Sequence, residues 1–182
     1  VDDRLLQAAR SLKYLLAPDF HDRALAPDSI AMDEELQNRK QITEFGVESG
    51  FKWVHTIVEM NGGFYFAAPS VSEEEARERV SWFFYPYDDI PGPFAQALRG
   101  TQPVFLDYTD QWGSFRSVAL PQRSPGGRPY LACADIESVD RDRLLRRNLL
   151  SSLGVALFFF IAILPLMGLL ITFFRAHMVQ LK

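Results

Sequence analysis

The feature that most constrains this chain is a long uncharged run near its C-terminal end. The 26 residues from Leu149 to Phe174 contain no Asp, Glu, Lys or Arg. Because a helix needs about 20 apolar residues to cross the hydrocarbon core of a bilayer, this run predicts one transmembrane helix. Pro165 and Gly168 are compatible with a span, since both residue types are tolerated in membrane helices. The alternative, a buried core helix, would rarely lack charges over such a length.

Composition limits the classes of function that the remaining residues can serve. The chain has 19 basic and 23 acidic residues and a net charge of −4, without a basic block. It therefore offers no electrostatic surface for nucleic acid, and we expect no such partner. The single cysteine, Cys133, cannot form a disulfide within one chain. The sequence has no glycine-rich phosphate loop and no nucleophile elbow, so we expect neither an enzyme nor a cofactor in this segment.

The ends of the sequence suggest a piece of a longer protein. It starts at Val1 already in a helical pattern, and it stops at Lys182 shortly after the apolar run. We expect a segment before Val1 and an output domain after Lys182. Arginines are concentrated before the apolar run, between residues 141 and 147. Counted alone, they would place residues 1–148 in the cytoplasm by the positive-inside rule.

Two helices are predicted at the start of the chain from their hydrophobic period. The first covers residues 2–16 and the second covers about 29–48, ending before Gly50. Their expected buried faces are Leu5, Ala9, Leu12 and Leu16 in the first helix, and Met32, Leu36 and Phe45 in the second.

After residue 50 the pattern changes to that of strands. Asn61-Gly62-Gly63 predicts a hairpin between the first two strands. A helix should then begin at Ser72, which stands in capping-box spacing with Glu75. Three further strands are predicted over 103–108, 115–121 and 128–136. These elements predict an α+β domain whose sheet has five antiparallel strands in meander order.

Four stretches, taken in this order, resemble the extracytoplasmic Cache (PAS-like) sensor domains of bacterial transmembrane receptors. They are DDRLLQAARSLKYLL, GFKWVHTIVEMNGGFYFAAPSVSEEE, YTDQWGSFRSVALP and GGRPYLACADIE. The resemblance covers residues 1 to about 175. It depends on the order of the elements and on the terminal apolar run, since none of the four motifs is specific by itself.

The resemblance implies a single Cache domain over 1–140, with a PAS-like five-stranded antiparallel sheet and a long N-terminal helix. A juxtamembrane exit helix over 141–148, one transmembrane helix over 149–174 and the start of a cytoplasmic segment over 175–182 would follow. It further implies a homodimer in the bacterial cytoplasmic (inner) membrane, in contact with lipid, whose sensor domain faces the periplasm. The expected role is to report a small molecule to a histidine kinase, chemoreceptor or diguanylate cyclase. The alternative is a membrane-tethered protein-interaction domain without a small-molecule ligand.

The resemblance also implies a pocket between the sheet and the segment over 69–100, which joins the second and third strands. This segment is rich in aromatic rings, most of which should belong to the core. Tyr85 and Tyr87 are better candidates for ligand contact, because buried phenols need hydrogen-bond partners. Trp82 is the third candidate from this segment.

Arg116 is a candidate because an arginine within an apolar strand needs an anionic partner. Its two parallel donors could receive the carboxylate of a ligand, or it could form an internal ion pair with Asp135 on the next strand. If Arg116 and Asp135 both face the pocket, Arg116 could bind the carboxylate and Asp135 the amine of an amino acid. If only Arg116 faces it, a small organic acid is the better match. We therefore expect a carboxylate or an amino acid as ligand.

His55 is the last candidate ligand contact, although most histidines on such an apolar face are satisfied core residues. His21 and His177 are isolated, and no group of side chains has metal-ligand spacing. We expect no metal. The turn of Asp110, Trp112 and Gly113 is predicted to be structural, because Gly113 supplies the turn conformation while Trp112 covers the sheet edge.

Overall fold

The structure is a computed structural model that describes residues 1–138, 153, 157–161 and 168. The chain divides into two compact units, Val1–Arg141 and Asp142–Lys182. The sheet and its helices belong to the first unit.

The predicted membrane-proximal part falls almost wholly outside the described residues. This holds for the exit helix over 141–148, for the cytoplasmic start over 175–182 and for most of the run over 149–174. Within that run, the described residues 153, 157–161 and 168 are helical and exposed. None of the helices among the described residues is both long and apolar enough to span a bilayer. The transmembrane helix thus stays a prediction from sequence.

Helices occupy most of the first 50 residues. Helix α1 spans Asp2–Ser11 and continues as a short 3₁₀ helix, Leu12–Tyr14; α2 spans Phe20–Arg23, and α3 spans Met32–Ser49. The first predicted helix is confirmed, although its regular part is shorter than expected. Its predicted buried face is also confirmed, with exposed fractions between 0% and 6% at Leu5, Ala9, Leu12 and Leu16.

The buried face of helix α3 agrees only in part with the predicted one. Met32 and Leu36 are exposed, whereas the buried positions of α3 are Glu35, Asn38, Ile42 and Gly46. The reason is a close approach between α3 and the sheet: a Cβ atom added to Gly46 would lie 3.0 Å from Cγ2 of Val54. Phe45, the third predicted position, is partly buried against the core on this side of the sheet, so the predicted stripe of α3 is only partly correct.

The strands form one antiparallel sheet. They are β1 Trp53–Met60, β2 Gly63–Pro69, β3 Tyr85–Pro86, β4 Val104–Asp110, β5 Gly113–Arg123 and β6 Pro129–Glu137. The predicted α+β class and PAS-like antiparallel sheet are confirmed, with six strands instead of five. The additional strand, β3, is a two-residue pairing at the edge of β2, too short to show as a pattern in the sequence.

The order of the strands is β3-β2-β1-β6-β5-β4, so the predicted simple meander is wrong. The first hairpin, β1–β2, joins the later meander β4–β5–β6 through pairing of β1 with the last strand, β6. Strands β1 and β6 therefore lie at the centre of the sheet.

Each face of the sheet carries its own apolar core. One face packs against α1 and α3, in a cluster that contains Leu5, Ile42 and Val54. The other face forms a smaller cluster around Ile57, Phe94 and other residues, partly from the segment between β2 and β4. We call residues 70–103 the covering segment; it contains α4 Glu73–Glu78, β3 and α5 Gly92–Ala97.

The covering segment passes around the β2 edge of the sheet. Helix α4 starts with the predicted capping box of Ser72 and Glu75, and it ends at Glu78 because Arg79 is extended, with φ −142° and ψ 132°. Phe83 and Phe84 then insert into the core on the helix side. Phe84 has a φ of 59°, which is unfavourable for a bulky residue and is held by packing.

Gly46→Ala tests the close approach of α3 to the sheet. Alanine favours a helix by about 1 kcal/mol over glycine, but overpacking a filled core costs about 1–3 kcal/mol. Because Val54 is fully buried, we expect a net loss in the free energy of unfolding, measured by urea denaturation. Gly92→Ala is the control, since a Cβ there meets nothing within 4 Å. A Gly46→Ala protein as stable as the Gly92→Ala protein would contradict this packing.

Candidate functional site

A cavity of about 40 Å³ lies between the sheet and the covering segment. It opens on the face opposite α1 and α3, where β1, β4 and β6 turn alternate side chains towards the covering segment. By this measure of volume a water molecule needs about 10–15 Å³, so the cavity accommodates a few waters or the head of a small guest. It is lined by Trp53, His55, Phe66, Pro69, Ser70, Val71, Glu75, Trp82, Tyr87, Tyr108, Asp110, Trp112, Phe115 and Asp135.

Aromatic rings form most of the cavity wall. All three tryptophans of the chain line it. Phe66 and Tyr87 are stacked with their centroids 4.7 Å apart, and the Trp112 ring lies edge-on to both, 5.9 Å from each centroid. Rings in this arrangement present faces that attract cations.

Asp135 lies at the floor of the cavity, with 1% of its surface exposed. Its register partner across β1 and β6 is Trp53. Its Oδ2 lies 3.4 Å from Nδ1 of His55. Burial raises the pKa of the Asp135 carboxyl to about 7, against the opposing effect of the Ser117 hydroxyl. Burial also lowers the pKa of His55 to about 3, so this histidine is neutral near pH 7 and provides no cation for Asp135.

Three buried polar atoms around the cavity have no hydrogen-bond partner among the described residues. They are Nε1 of Trp53, Nε2 of His55 and Oδ1 of Asp135. An unsatisfied buried polar group costs about 1–3 kcal/mol, so each is unusual in a folded domain. All three atoms belong to residues that line the same cavity. A polar guest in this cavity could therefore supply the missing hydrogen bonds.

A second carboxylate, Asp110, stands at the end of β4. Its Oδ1 accepts a hydrogen bond of 2.8 Å from the Trp112 backbone, and its Oδ2 lies 3.3 Å from the Tyr87 hydroxyl. The Tyr87 and Tyr108 hydroxyl oxygens are 3.5 Å apart. Burial raises the pKa of Asp110 and of both phenols. No lysine or arginine lines the cavity within the described part of the chain, so its charged groups are all acidic.

Four of the six residues predicted for the site line this cavity: His55, Trp82, Tyr87 and Asp135. Tyr85 does not line it. As part of the edge strand β3, Tyr85 turns its ring towards Trp82, 4.9 Å away, and towards the guanidinium of Arg79, 4.4 Å away.

Arg116 points to the opposite face of the sheet. In the pairing of β5 with β6, Arg116 stands opposite Ile136, whereas Ser117 stands opposite Asp135. Because directly opposed residues share a face, Arg116 and Asp135 are on different faces. The predicted internal ion pair between them is therefore wrong.

The anionic partners of Arg116 are two other carboxylates. Its Nε and Nη2 donate to Asp2 at 3.0 and 2.7 Å, and its Nη1 donates to Asp107 at 3.0 Å. Arg116 thus connects the first turn of α1 with β4 and β5. The predicted need of this arginine for an anion is real, but the protein itself supplies the anions.

The sequence analysis missed Trp53 and Tyr108, and it assigned Asp110 and Trp112 only to the turn. Strand alternation could have identified Tyr108 and Asp110, since both share a β4 face with Leu106. Trp112 lies within the turn between β4 and β5 and has no such pattern. Its ring reaches Phe66 of β2, although β1 and β6 separate β2 from the β4–β5 hairpin in the sheet.

Two further observations concern metals and the isolated histidine. Within the described residues, no group of three His, Cys, Asp or Glu side chains is arranged to hold a metal ion. His21 is a buried core histidine, stacked on Tyr130 with centroids 3.6 Å apart and 3.1 Å from the Thr56 hydroxyl.

No protein-family model matches the chain, and no curated protein matches it. Among solved structures, the sensory domain of the Campylobacter jejuni chemoreceptor Tlp3 (CcmL) with isoleucine bound is similar, at 14% identity and a TM-score of 0.46. The ligand-binding domain of the Pseudomonas aeruginosa PAO1 amino-acid chemoreceptor PctC, in complex with GABA, has 15% identity and a TM-score of 0.36. The alignments cover 74% of this chain and 51% and 61% of those two chains.

Replacing Arg116 tests its assignment as a structural residue. Arg116→Ala removes both carboxylate contacts, and because Asp2 and Asp107 are about half exposed, water partly compensates. We expect a loss of about 1–2 kcal/mol in the free energy of unfolding, measured by urea denaturation. Arg123→Ala is the control on the same strand, since the Arg123 side chain is exposed and donates to one carbonyl oxygen. Equal stability of the two variants would refute a structural role for Arg116.

Proposed function

We propose that residues 1–138 form the ligand-binding sensor domain of a bacterial transmembrane signalling receptor, and that its ligand carries an ammonium group. The observation that carries this proposal is the cavity lined by Asp110, Asp135 and aromatic rings, without a basic side chain among the described lining residues. A simple organic acid would meet three acidic side chains there, Glu75, Asp110 and Asp135, and no cation among the described lining residues. We therefore favour an amine or an amino acid over the organic acid.

The lining groups match the chemistry of an ammonium head. Oδ1 of Asp135 can accept one of its N–H bonds, because this atom has no partner among the described residues. The faces of Tyr87 and the tryptophans can attract the positive charge, an interaction worth about 2 kcal/mol when desolvated. Asp110 adds a second negative group at the rim.

The carboxylate of an amino acid would need a donor of its own. The guanidinium of Arg79 lies 5.3 Å from the centroid of the Trp82 ring, and Trp82 lines the cavity. The indole Nε1 of Trp53 is a buried donor without a partner among the described residues. Arg79 contacts Trp82 but does not itself line the cavity, so we assign the carboxylate to the Trp53 indole and leave Arg116 to its structural contacts.

The size of the cavity suggests how binding could be reported. A guest larger than a few waters must displace the covering segment, from which Ser70, Val71, Glu75, Trp82 and Tyr87 line the cavity. The Trp82 backbone N–H lies 3.4 Å from Oε1 of Glu35, and Arg39 donates to the Val80 carbonyl at 3.0 Å. Both partners belong to α3. A ligand that prefers one position of the covering segment would thus shift the population of α3 positions.

The receptor context rests on the uncharged run over 149–174. A span there supports contact with lipid and a place in the bacterial cytoplasmic membrane, with the sensor domain in the periplasm. A homodimer and an output module such as a kinase, a chemoreceptor or a cyclase belong to the same proposal. The alternative, a tethered protein-interaction domain, would not need the unsatisfied polar atoms of the cavity.

Binding of small ammonium compounds to the full 182-residue chain, purified in detergent, tests the proposal. Tryptophan fluorescence is a direct readout, because all three tryptophans line the cavity. The panel contains n-butylammonium, isoleucine and GABA, with acetate and succinate as compounds without an ammonium group. We expect saturable changes, and a matching rise in melting temperature, with at least one of the first three compounds.

Two variants give this experiment its controls. Asp135→Asn should weaken binding by about ten- to a hundredfold, since hydrogen bonds to charged groups contribute about 1.5–3 kcal/mol. Arg116→Ala should bind as the wild type does, because its side chain lies on the other face. Saturable binding of acetate and succinate alone would exclude the ammonium assignment. No binding by any compound would favour the protein-interaction alternative.

A further inference from the structure

We propose that Asp135 holds a proton while the cavity is empty and releases it to solvent when the ammonium group of a ligand enters. The inference rests on the proposed function, because it concerns the same site. It makes ligand binding an exchange of one proton for one organic cation. Such a receptor would report its ligand more weakly in acidic surroundings.

The first step of the argument is the position of Asp135. Its side chain is 1% exposed, and Oδ1 has no hydrogen-bond partner among the described residues. Its other oxygen has the neutral His55 ring at 3.4 Å. A buried carboxylate without a cation is costly, and such groups take up a proton instead of remaining charged.

The second step is the set of groups that face Asp135 from the surrounding elements. They are His55 on β1, Cys133 on β6 itself, Ser117 on β5, Tyr108 and Asp110 on β4, and Tyr87 and Glu75 from the covering segment.

None of these groups stabilises a charged Asp135 as a cation would. Asp110 raises the pKa of Asp135 further, in addition to burial, and only the Ser117 hydroxyl opposes the shift. His55 is kept neutral by burial, which lowers its pKa. The acidic neighbour and the neutral ring together favour the protonated form of Asp135.

The third step is the effect of the ligand. An ammonium group beside Oδ1 is the cation that the described lining residues lack, and it favours the carboxylate over the acid. The O–H bond of the Asp135 carboxyl then breaks, its electron pair stays on the oxygen, and the proton passes to solvent. The ammonium group keeps its own protons, so charge balances: one cation enters and one proton leaves.

The exchange predicts the direction in which the dissociation constant changes with pH. Below the pKa of Asp135 in the empty cavity, about 7, each ligand must displace a proton. The dissociation constant should therefore rise by about tenfold for each unit of pH lost. Above this pKa the carboxylate is already formed, and affinity should not depend on pH until the ligand itself loses its charge.

The proton can be tested without any ligand. Infrared spectra of the full chain in detergent at pH 5.5 and pH 8.5 report the carbonyl stretching band of protonated carboxylic acids. Because other carboxyls contribute, the spectrum of Asp135→Asn is subtracted from that of the wild type. We expect a band at pH 5.5 that is lost at pH 8.5. If the difference spectrum has no such band at pH 5.5, Asp135 is ionised in the empty protein and the inference is wrong.

The exchange is tested with n-butylammonium as the probe, by tryptophan fluorescence from pH 5 to pH 8.5. We expect the wild type and Arg116→Ala to lose affinity about tenfold per pH unit below pH 7. Asp135→Asn should bind weakly, with an affinity that does not depend on pH below about 7. Asp110→Asn should also bind weakly but should keep the roughly tenfold loss of affinity per pH unit.

The outcomes separate the two proposals. Binding of n-butylammonium that is independent of pH would leave the ammonium site standing and overturn the proton exchange. A slope that persists in Asp135→Asn would overturn the assignment of the proton to this residue. Absence of binding at every pH, together with the infrared band, would overturn the ammonium ligand, and the exchange with it, while the proton on Asp135 remained.

Discussion

The pairing of β1 with β6 at the centre of the sheet is the constraint on which the rest of this structure depends. This pairing brings the first hairpin and the later meander into one sheet, although about 70 residues separate the two strands. It also sets the register that places Trp53 opposite Asp135. Because a shift of one residue would exchange the two faces, the same register keeps Val54 in the helix-side core and His55 in the cavity.

The domain places a polar site inside an otherwise apolar layer. The cluster around Ile57, Phe94 and Leu131 supplies the packing on the cavity side, while Asp135 and His55 interrupt it. A core built only for stability would not retain two titratable groups and three unsatisfied polar atoms. The arrangement makes physical sense if the site is completed by a guest, since the guest then provides the charge and the hydrogen bonds that the fold omits.

The covering segment connects the two faces of the sheet. Trp82 touches the cavity, whereas the next two residues, Phe83 and Phe84, belong to the core on the helix side. The positive φ of Phe84 lies where the chain returns to Tyr85, which packs against the cavity-side cluster, and costs about 1–3 kcal/mol. Glu35 and Arg39 on α3 hold the backbone of the same segment. A change in the cavity and a change in the position of α3 are thus linked through a few consecutive residues.

The sequence by itself determined the class of the fold, the approximate strand positions, the capping box at Ser72 and the hydrophobic face of α1. These features depend on local propensity and on periodicity, which neighbouring residues express directly. It also identified four cavity residues, because a buried phenol or a titratable group in an apolar stretch needs a polar partner. Tertiary structure alone decided the partners: Asp2 reaches Arg116 across 114 residues, and the parity of the β5–β6 register separates Arg116 from Asp135. It also brought Trp112 to the cavity and buried Gly46 against Val54, because such contacts depend on register and on the close approach of distant elements, which local patterns do not encode.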